Sequence, residues 1–396
     1  MSNQNPVFIP GPTNMPDRLR AIMLAQTMDH RAPDFAGVFR PMLEDTKKVF
    51  GTTEGEVITF PGSGTGGWEA AVANTLSPGD RVLVARYGLF SHKWIDLCQR
   101  FGLDVQVIDV PWGEGLPVAR FEEILRADTE GRIKAVLATH NETATGVVSD
   151  IAGLRRAMDA AGHGALLLVD GVSSIGSMDF RFDDWGVDVA VTGSQKGFML
   201  PAGLAITCFS EKAIAASKTA TLPRTFWSID DMRKGYAANA YPYTPAVGLL
   251  NGLKLATDML LAEGLDNVFA RHARIADGVR AAVHAWGMTP CAVSPELYSN
   301  TVTAIRTPEG FNASTIVERA AHEYGMAFGT GLGDVAGKVF RIGHLGQLTD
   351  AMALSGIATA EMVMADLGMN ITLGSGVGAA QAVYRHGTPI ATEAAA

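Results

Sequence analysis

Ala165-Leu166-Leu167-Leu168-Val169-Asp170-Gly171-Val172-Ser173-Ser174 is the stretch on which the fold turns. An unbroken apolar run with no polar alternation suits a strand covered on both faces, as in a parallel sheet clothed by helices. A carboxylate ends the run, and small residues turn the chain. The next such run, 187–192, is followed by Gly193-Ser194-Gln195-Lys196-Gly197. Neighbouring strands thus deliver an acid and a lysine to one edge of a sheet, the carboxyl edge at which open α/β sheets bind ligands.

Working outward, the runs 56–60, 81–85, 105–110 and 135–139 read as further strands, and 67–76, 91–101 and 151–161 carry the apolar spacing of helices. The alternation predicts an α/β fold, a mostly parallel sheet with helices on both faces. A long helical pattern begins after Pro245, and a second strand-and-helix set runs from about Asn267 to about Asp366. We expect a large domain over 1–265 and a smaller C-terminal α/β domain over 266–396, ending in a loosely held alanine-rich tail from His386.

A chain of 396 residues, 47% of them hydrophobic, is long enough for two cores. Its formal net charge of -9, with no lysine- or arginine-rich block, argues against nucleic acid or an anionic membrane surface as partner. Cys98, Cys208 and Cys291 are odd in number and widely spaced, which suggests neither a disulfide framework nor a zinc site. No metal is expected, and a reducing cytoplasm is the simple setting. The start of the chain has no basic-then-apolar targeting pattern, and no apolar run is long enough to span a bilayer.

Pro61-Gly62-Ser63-Gly64-Thr65-Gly66-Gly67 falls between a strand and a helix. Glycines let backbone N–H groups converge, Ser63 and Thr65 add hydroxyls, and the helix start adds partial positive charge, so the loop reads as an anion cradle. Gly62, Gly64 and Gly67 also fit G-x-G-x-x-G, the dinucleotide pattern, but the acid it requires is poorly placed. Asp80 precedes its strand, at the opposite edge of the sheet from the glycine loop. Lys196 lies between an apolar strand and Phe198-Met199-Leu200, where partial desolvation would lower its pKa and leave the neutral amine that condensation with an aldehyde requires. Phosphate cradle, Asp170 and Lys196 are together the three grips on pyridoxal 5'-phosphate. Asp170 would keep the ring nitrogen protonated, and Lys196 would anchor the aldehyde and later move the substrate's α-proton.

At this point the chain resembles the class V aminotransferases of fold type I, in particular the alanine-, serine- and aspartate-glyoxylate enzymes. The resemblance is carried nearly end to end by Pro10-Gly11-Pro12-Thr13-Asn14, Asp29-His30-Arg31, Ser63-Gly64-Thr65, Thr139-His140-Asn141-Glu142-Thr143-Ala144-Thr145-Gly146, Val169-Asp170-Gly171-Val172-Ser173-Ser174, Gly193-Ser194-Gln195-Lys196 and Phe340-Arg341-Ile342-Gly343. It implies that Ser63, Gly64, Thr65 and Gln195 hold the phosphate, that Phe90 stacks on the ring, and that Thr143 bonds near its 3-hydroxyl. Arg341 would take the substrate α-carboxylate, and an N-terminal segment would lie across the site. It further implies a homodimer with shared sites, Tyr241 and Thr244 reaching the partner's phosphate. Some members carry histidine and tryptophan where this chain has Thr65 and Phe90, changes that keep a polar group and an aromatic face.

The function expected is a ping-pong aminotransferase passing the amino group of a small L-amino acid, L-aspartate ahead of L-serine, to glyoxylate, giving glycine and a 2-oxo acid. The side-chain carboxylate of aspartate would need a cation, and Arg31 is favoured over His92 and Arg224. A lyase of the same fold is the alternative, although a desulfurase needs a late reactive cysteine and none follows Cys291. A nicotinamide-dependent dehydrogenase would leave Lys196 and Asp170 without work. His140 reads as satisfying backbone groups, and Glu142 receives no role.

Overall fold

The computed structural model describes residues 6–25 and 27–386, so residues 387–396 of the alanine-rich end lie outside the described residues. Its larger sheet has the strand order Glu56–Gly62, Gly203–Phe209, Val189–Gly193, Leu166–Asp170, Ile133–Thr139, Arg81–Arg86, Asp104–Asp109. Leu166–Asp170 is wholly buried and pairs in parallel on both sides, setting Asp170 level with Thr139 and Val191. That is the environment its unbroken apolar run calls for.

Gly203–Phe209 runs antiparallel to both neighbours and had no counterpart among the strands read from sequence. The loop 194–202 before it, which carries Lys196, is too short for a helical crossover, so the chain must fold straight back. The Gly64–Thr75 helix lies on this sheet so closely that a Cβ on Gly67 would fall 2.4 Å from Val191 Cγ1. Only glycine permits that approach.

A second sheet has the order Val7–Phe8, Ala327–Thr330, Val339–Gly343, Val302–Arg306, Thr289–Pro290. Its own core includes Phe8, Ile275, Phe340, Ile342 and Ile357, under the helices Leu265–Ala285, Asp350–Asp366 and Ser375–His386. Tyr384 of the last helix sits over Gly278, where a Cβ would meet its ring at 2.3 Å, and its hydroxyl donates to the Ile275 carbonyl at 3.1 Å. The first strand therefore belongs to the second sheet, although the expected division assigned residues 1–265 to the large domain. From Phe8 the chain crosses back toward Lys196. Among the described residues no helix is long and apolar enough to cross a membrane.

Candidate active site

Lys196 is 8% exposed, and its Nζ donates to the Pro10 carbonyl. The N-terminal segment closes over it: Gly11 has φ 105°, and a Cβ there would fall 2.6 Å from Lys196 Cδ and 2.7 Å from Nζ. Thr13 N–H donates to the Gln195 carbonyl at 3.3 Å, tying the segment to the lysine turn. The resemblance alone implied this strap; its mark in the residues is a glycine between two prolines, since only glycine combines that backbone with that proximity. Burial lowers the Lys196 amine to about 8, helped by the charge of Arg341 and opposed by that of Asp170.

Asp170 is buried at the carboxyl end of its strand, where its side chain accepts the Val172 N–H at 2.9 Å. Burial raises its carboxyl to about 7; the Val172 N–H lowers it, the charge of Glu142 raises it, and the Trp68 indole and Lys196 lower it. The Trp68 indole N–H is near enough to favour the charged form, yet it finds no partner in hydrogen-bond geometry. Lysine and aspartate thus meet at one sheet edge, each displaced toward its neutral form by the same desolvation.

The cradle stands beside them. Ser63 precedes the Gly64–Thr75 helix without capping it through its side chain. Among the described residues, the side chains of Ser63, Thr65 and Gln195 have no hydrogen-bond partner, and Gln195 Oε1 is buried. A Cβ on Gly64 would fall 2.5 Å from Val172 Cγ2, so the helix start presses against the turn that follows Asp170. Uncapped N–H groups, two hydroxyls and an amide are left for an anion. Asp80 instead accepts the Ser77 N–H at 2.7 Å in the turn before its strand.

Half-buried Phe90 lies in the first turn of the Leu89–Arg100 helix. Thr143 shares a 2.7 Å hydrogen bond with Ser173, which follows Asp170 by three residues. Arg341 is 6% exposed, with Nε donating to the Thr330 carbonyl at 2.9 Å and Nη1 to the Thr143 carbonyl at 3.0 Å. Its Nη2 has no partner among the described residues, and burial lowers the guanidinium only to about 10, so it stays charged at neutral pH.

Arg31 is exposed, and its guanidinium makes no hydrogen bond or ion pair among the described residues. His92 is exposed, while Arg224 is spent on the carbonyls of Ala73, Ser217, Ala220 and Leu222. Thr244 is exposed, but Tyr241 is buried, its hydroxyl 3.0 Å from Thr59 Oγ1 and its ring against Phe35, Phe39 and Tyr236. His140 shares a 2.9 Å bond with Ser174 Oγ and packs on Phe180 and Trp185; burial lowers it to about 4, which keeps it neutral. All three cysteines are buried.

The fold is the fold type I architecture of pyridoxal-phosphate enzymes. The class V aminotransferase model matches residues 23–335, and the chain belongs to that family. It is 67% identical over 396 residues, all of both chains, to the L-aspartate–glyoxylate aminotransferase of Paracoccus denitrificans (strain Pd 1222). The serine–glyoxylate aminotransferase of Hyphomicrobium methylovorum is 54% identical over 376 residues, covering 94% of this chain and 93% of that one. Among solved structures, pyridoxamine–pyruvate aminotransferase from Mesorhizobium loti has a TM-score of 0.90 at 30% sequence identity, covering 97% of each chain.

Proposed function

We propose that this chain is a pyridoxal-phosphate aminotransferase that moves the amino group of a small L-amino acid, L-aspartate ahead of L-serine, to glyoxylate by a ping-pong mechanism. The observation that carries the reading is the meeting of buried Lys196 with buried Asp170 beside an uncapped helix start. The residues fit the cofactor chemically: the hydroxyls of Ser63 and Thr65 and the NH2 of the Gln195 amide would donate to the phosphate at the uncapped helix start, and Asp170 is an acid for the ring nitrogen. Phe90 and Thr143 would hold the ring, the first by its face and the second by its hydroxyl. When bound, pyridoxal phosphate supplies an aldehyde carbon that takes up amines and a ring that draws electrons from the substrate Cα–H bond.

The protein's own groups do the rest. An amine lowered to about 8 is partly neutral at pH 7, so Lys196 can take the proton from the substrate α-carbon and return it elsewhere. Asp170 would hold the ring nitrogen and stabilise positive charge there, and such charge would restore its own ionised form. Arg341 offers Nη2 to the α-carboxylate while two carbonyls fix the plane of its fork.

The glyoxylate acceptor and aspartate donor rest on the names of the two relatives above. Arg31 remains our choice for the aspartate side chain; it is exposed, and its guanidinium is free among the described residues to meet a carboxylate. A homodimer with shared sites is part of the proposal, Thr244 being freer than Tyr241 to reach the partner's phosphate. The test is a spectral titration of the holoenzyme with L-aspartate, L-serine and L-alanine, each followed by glyoxylate. Aspartate should change the cofactor spectrum at the lowest concentration and glyoxylate should restore it; a preference for serine would sink the aspartate assignment, and no response to any amino acid would sink the aminotransferase reading.

A further inference from the structure

We propose that Glu142 is a positioning residue that holds the aromatic face of Phe90 and the Thr143 turn behind Arg341 in one register. This deepens the function above, since it rests on Phe90, Thr143 and Arg341 being cofactor and substrate contacts. Glu142 is fully buried, and its carboxylate joins two elements far apart in sequence. Oε2 accepts the N–H groups of Phe90 at 3.1 Å and Ser91 at 2.9 Å, in the first turn of the Leu89–Arg100 helix. Oε1 accepts the Ala144 N–H at 3.1 Å.

The turn it holds is closed by Gly146 N–H donating to the Glu142 carbonyl at 2.9 Å. That turn presents the Thr143 carbonyl to Arg341 Nη1 at 3.0 Å and the Thr143 hydroxyl to Ser173 at 2.7 Å. Gly88 leaves the space, for a Cβ there would fall 2.2 Å from both Cγ and Cδ of Glu142. The partners of the carboxylate in hydrogen-bond geometry are N–H groups, the Ser91 hydroxyl nearby also favours its charged form, and the helix start adds partial positive charge, so the site suits an acceptor-only group. An isosteric amide would have to turn its NH2 onto one of these N–H groups.

Burial pushes the Glu142 carboxyl up, opposed by the N–H groups of Ser91, Ala144 and Phe90; in its ionised form it raises the Asp170 carboxyl and supports the charged form of Arg341. A purely structural cap would affect folding alone. A positioning residue must also move ligand binding, and the two are separable.

The experiment compares wild type with Glu142→Gln. The apoprotein's affinity for pyridoxal phosphate, read by tryptophan fluorescence quenching, should fall about tenfold, the size expected when a buried charge-assisted hydrogen bond is lost. KM for the amino donor should rise by a similar factor, with kcat falling less. In the double variant with Phe90→Leu, the losses in affinity should overlap rather than multiply, because Glu142 acts through Phe90. Wild-type affinity and KM in a merely less stable Glu142→Gln protein, or losses that multiply fully, would make Glu142 a structural cap and overturn the proposal. If the amide variant does not fold, Glu142→Asp, too short to reach both Ser91 and Ala144, must show the same pattern; wild-type values there overturn it equally. A wild-type protein that binds no pyridoxal phosphate would overturn the functional reading first.

Discussion

Two buried carboxylates in this chain are treated in opposite ways. Glu361, 2% exposed on the Asp350–Asp366 helix over the second sheet, is saturated: it accepts the Trp286 indole N–H at 3.0 Å and the backbone N–H groups of Gly374 at 2.8 Å and Gly376 at 2.5 Å. Asp170, 4% exposed at the edge of the large sheet, accepts the Val172 N–H and meets no other donor in hydrogen-bond geometry among the described residues. Among the described residues, Trp68 Nε1, Thr139 Oγ1, Asn141 Oδ1 and Gln195 Oε1, on elements that meet at this edge, are buried without partners, as are Trp94 Nε1, Arg155 Nε and Ser177 Oγ elsewhere around the large sheet, against Ser375 Oγ beside the second sheet. Unsatisfied buried groups cost stability, and natural structures leave them chiefly where a ligand or water completes them. The layer around the second sheet satisfies its buried carboxylate within itself, whereas the edge of the large sheet leaves buried polar groups open.

The largest effect is expected at Asp170. Asp170→Asn should keep the fold, since the side chain makes a single local hydrogen bond, but turnover should fall on the order of 100-fold or more. Near-normal turnover would move the electron-withdrawing role to another residue. Gly11→Ala attacks the other side of the site. At φ 105° an alanine is strained by about 1–2 kcal/mol, and its Cβ would also displace the Lys196 side chain. Cofactor retention in equilibrium dialysis should weaken about tenfold, the equivalent of such a cost; unchanged retention would mean that the strap does not set the lysine.

Glu361→Gln should do the reverse. Forcing an amide against three N–H donors should cost about 1–3 kcal/mol of unfolding free energy in urea titration, with kcat/KM intact. A parallel loss of kcat/KM would show that the two regions are not independent. The smallest effect concerns pH. An amine lowered to about 8 becomes neutral as pH rises through that value, so the rate at which apoprotein captures pyridoxal phosphate should climb with a midpoint near 8. A midpoint near 10.5 would describe a solvated lysine and remove the desolvation that distinguishes this edge.

Much of this edge could be read before any coordinates. The 165–169 run declares a strand buried on both faces, and its terminal aspartate and the lysine after the next strand follow from the period of the α/β pattern. The glycine loop announces itself because cradles need glycine locally. What stayed hidden depends on contacts distant in sequence. Glu142 looks like any turn acid until the Leu89–Arg100 helix is brought to it. Val7–Phe8 is too short to read as a strand, and only its pairing with Ala327–Phe328 assigns it to the second sheet. Arg224 looks like a free cation until four carbonyls surround it.

The central claim is that Lys196 is the amine this edge keeps buried for pyridoxal phosphate. The direct test is borohydride reduction of the loaded protein, followed by proteolysis and mass spectrometry of the lysine peptides. The account predicts the phosphopyridoxyl group on the peptide containing Lys196, and none on that peptide in Lys196→Ala. Finding the group on another lysine of the wild-type protein would contradict it.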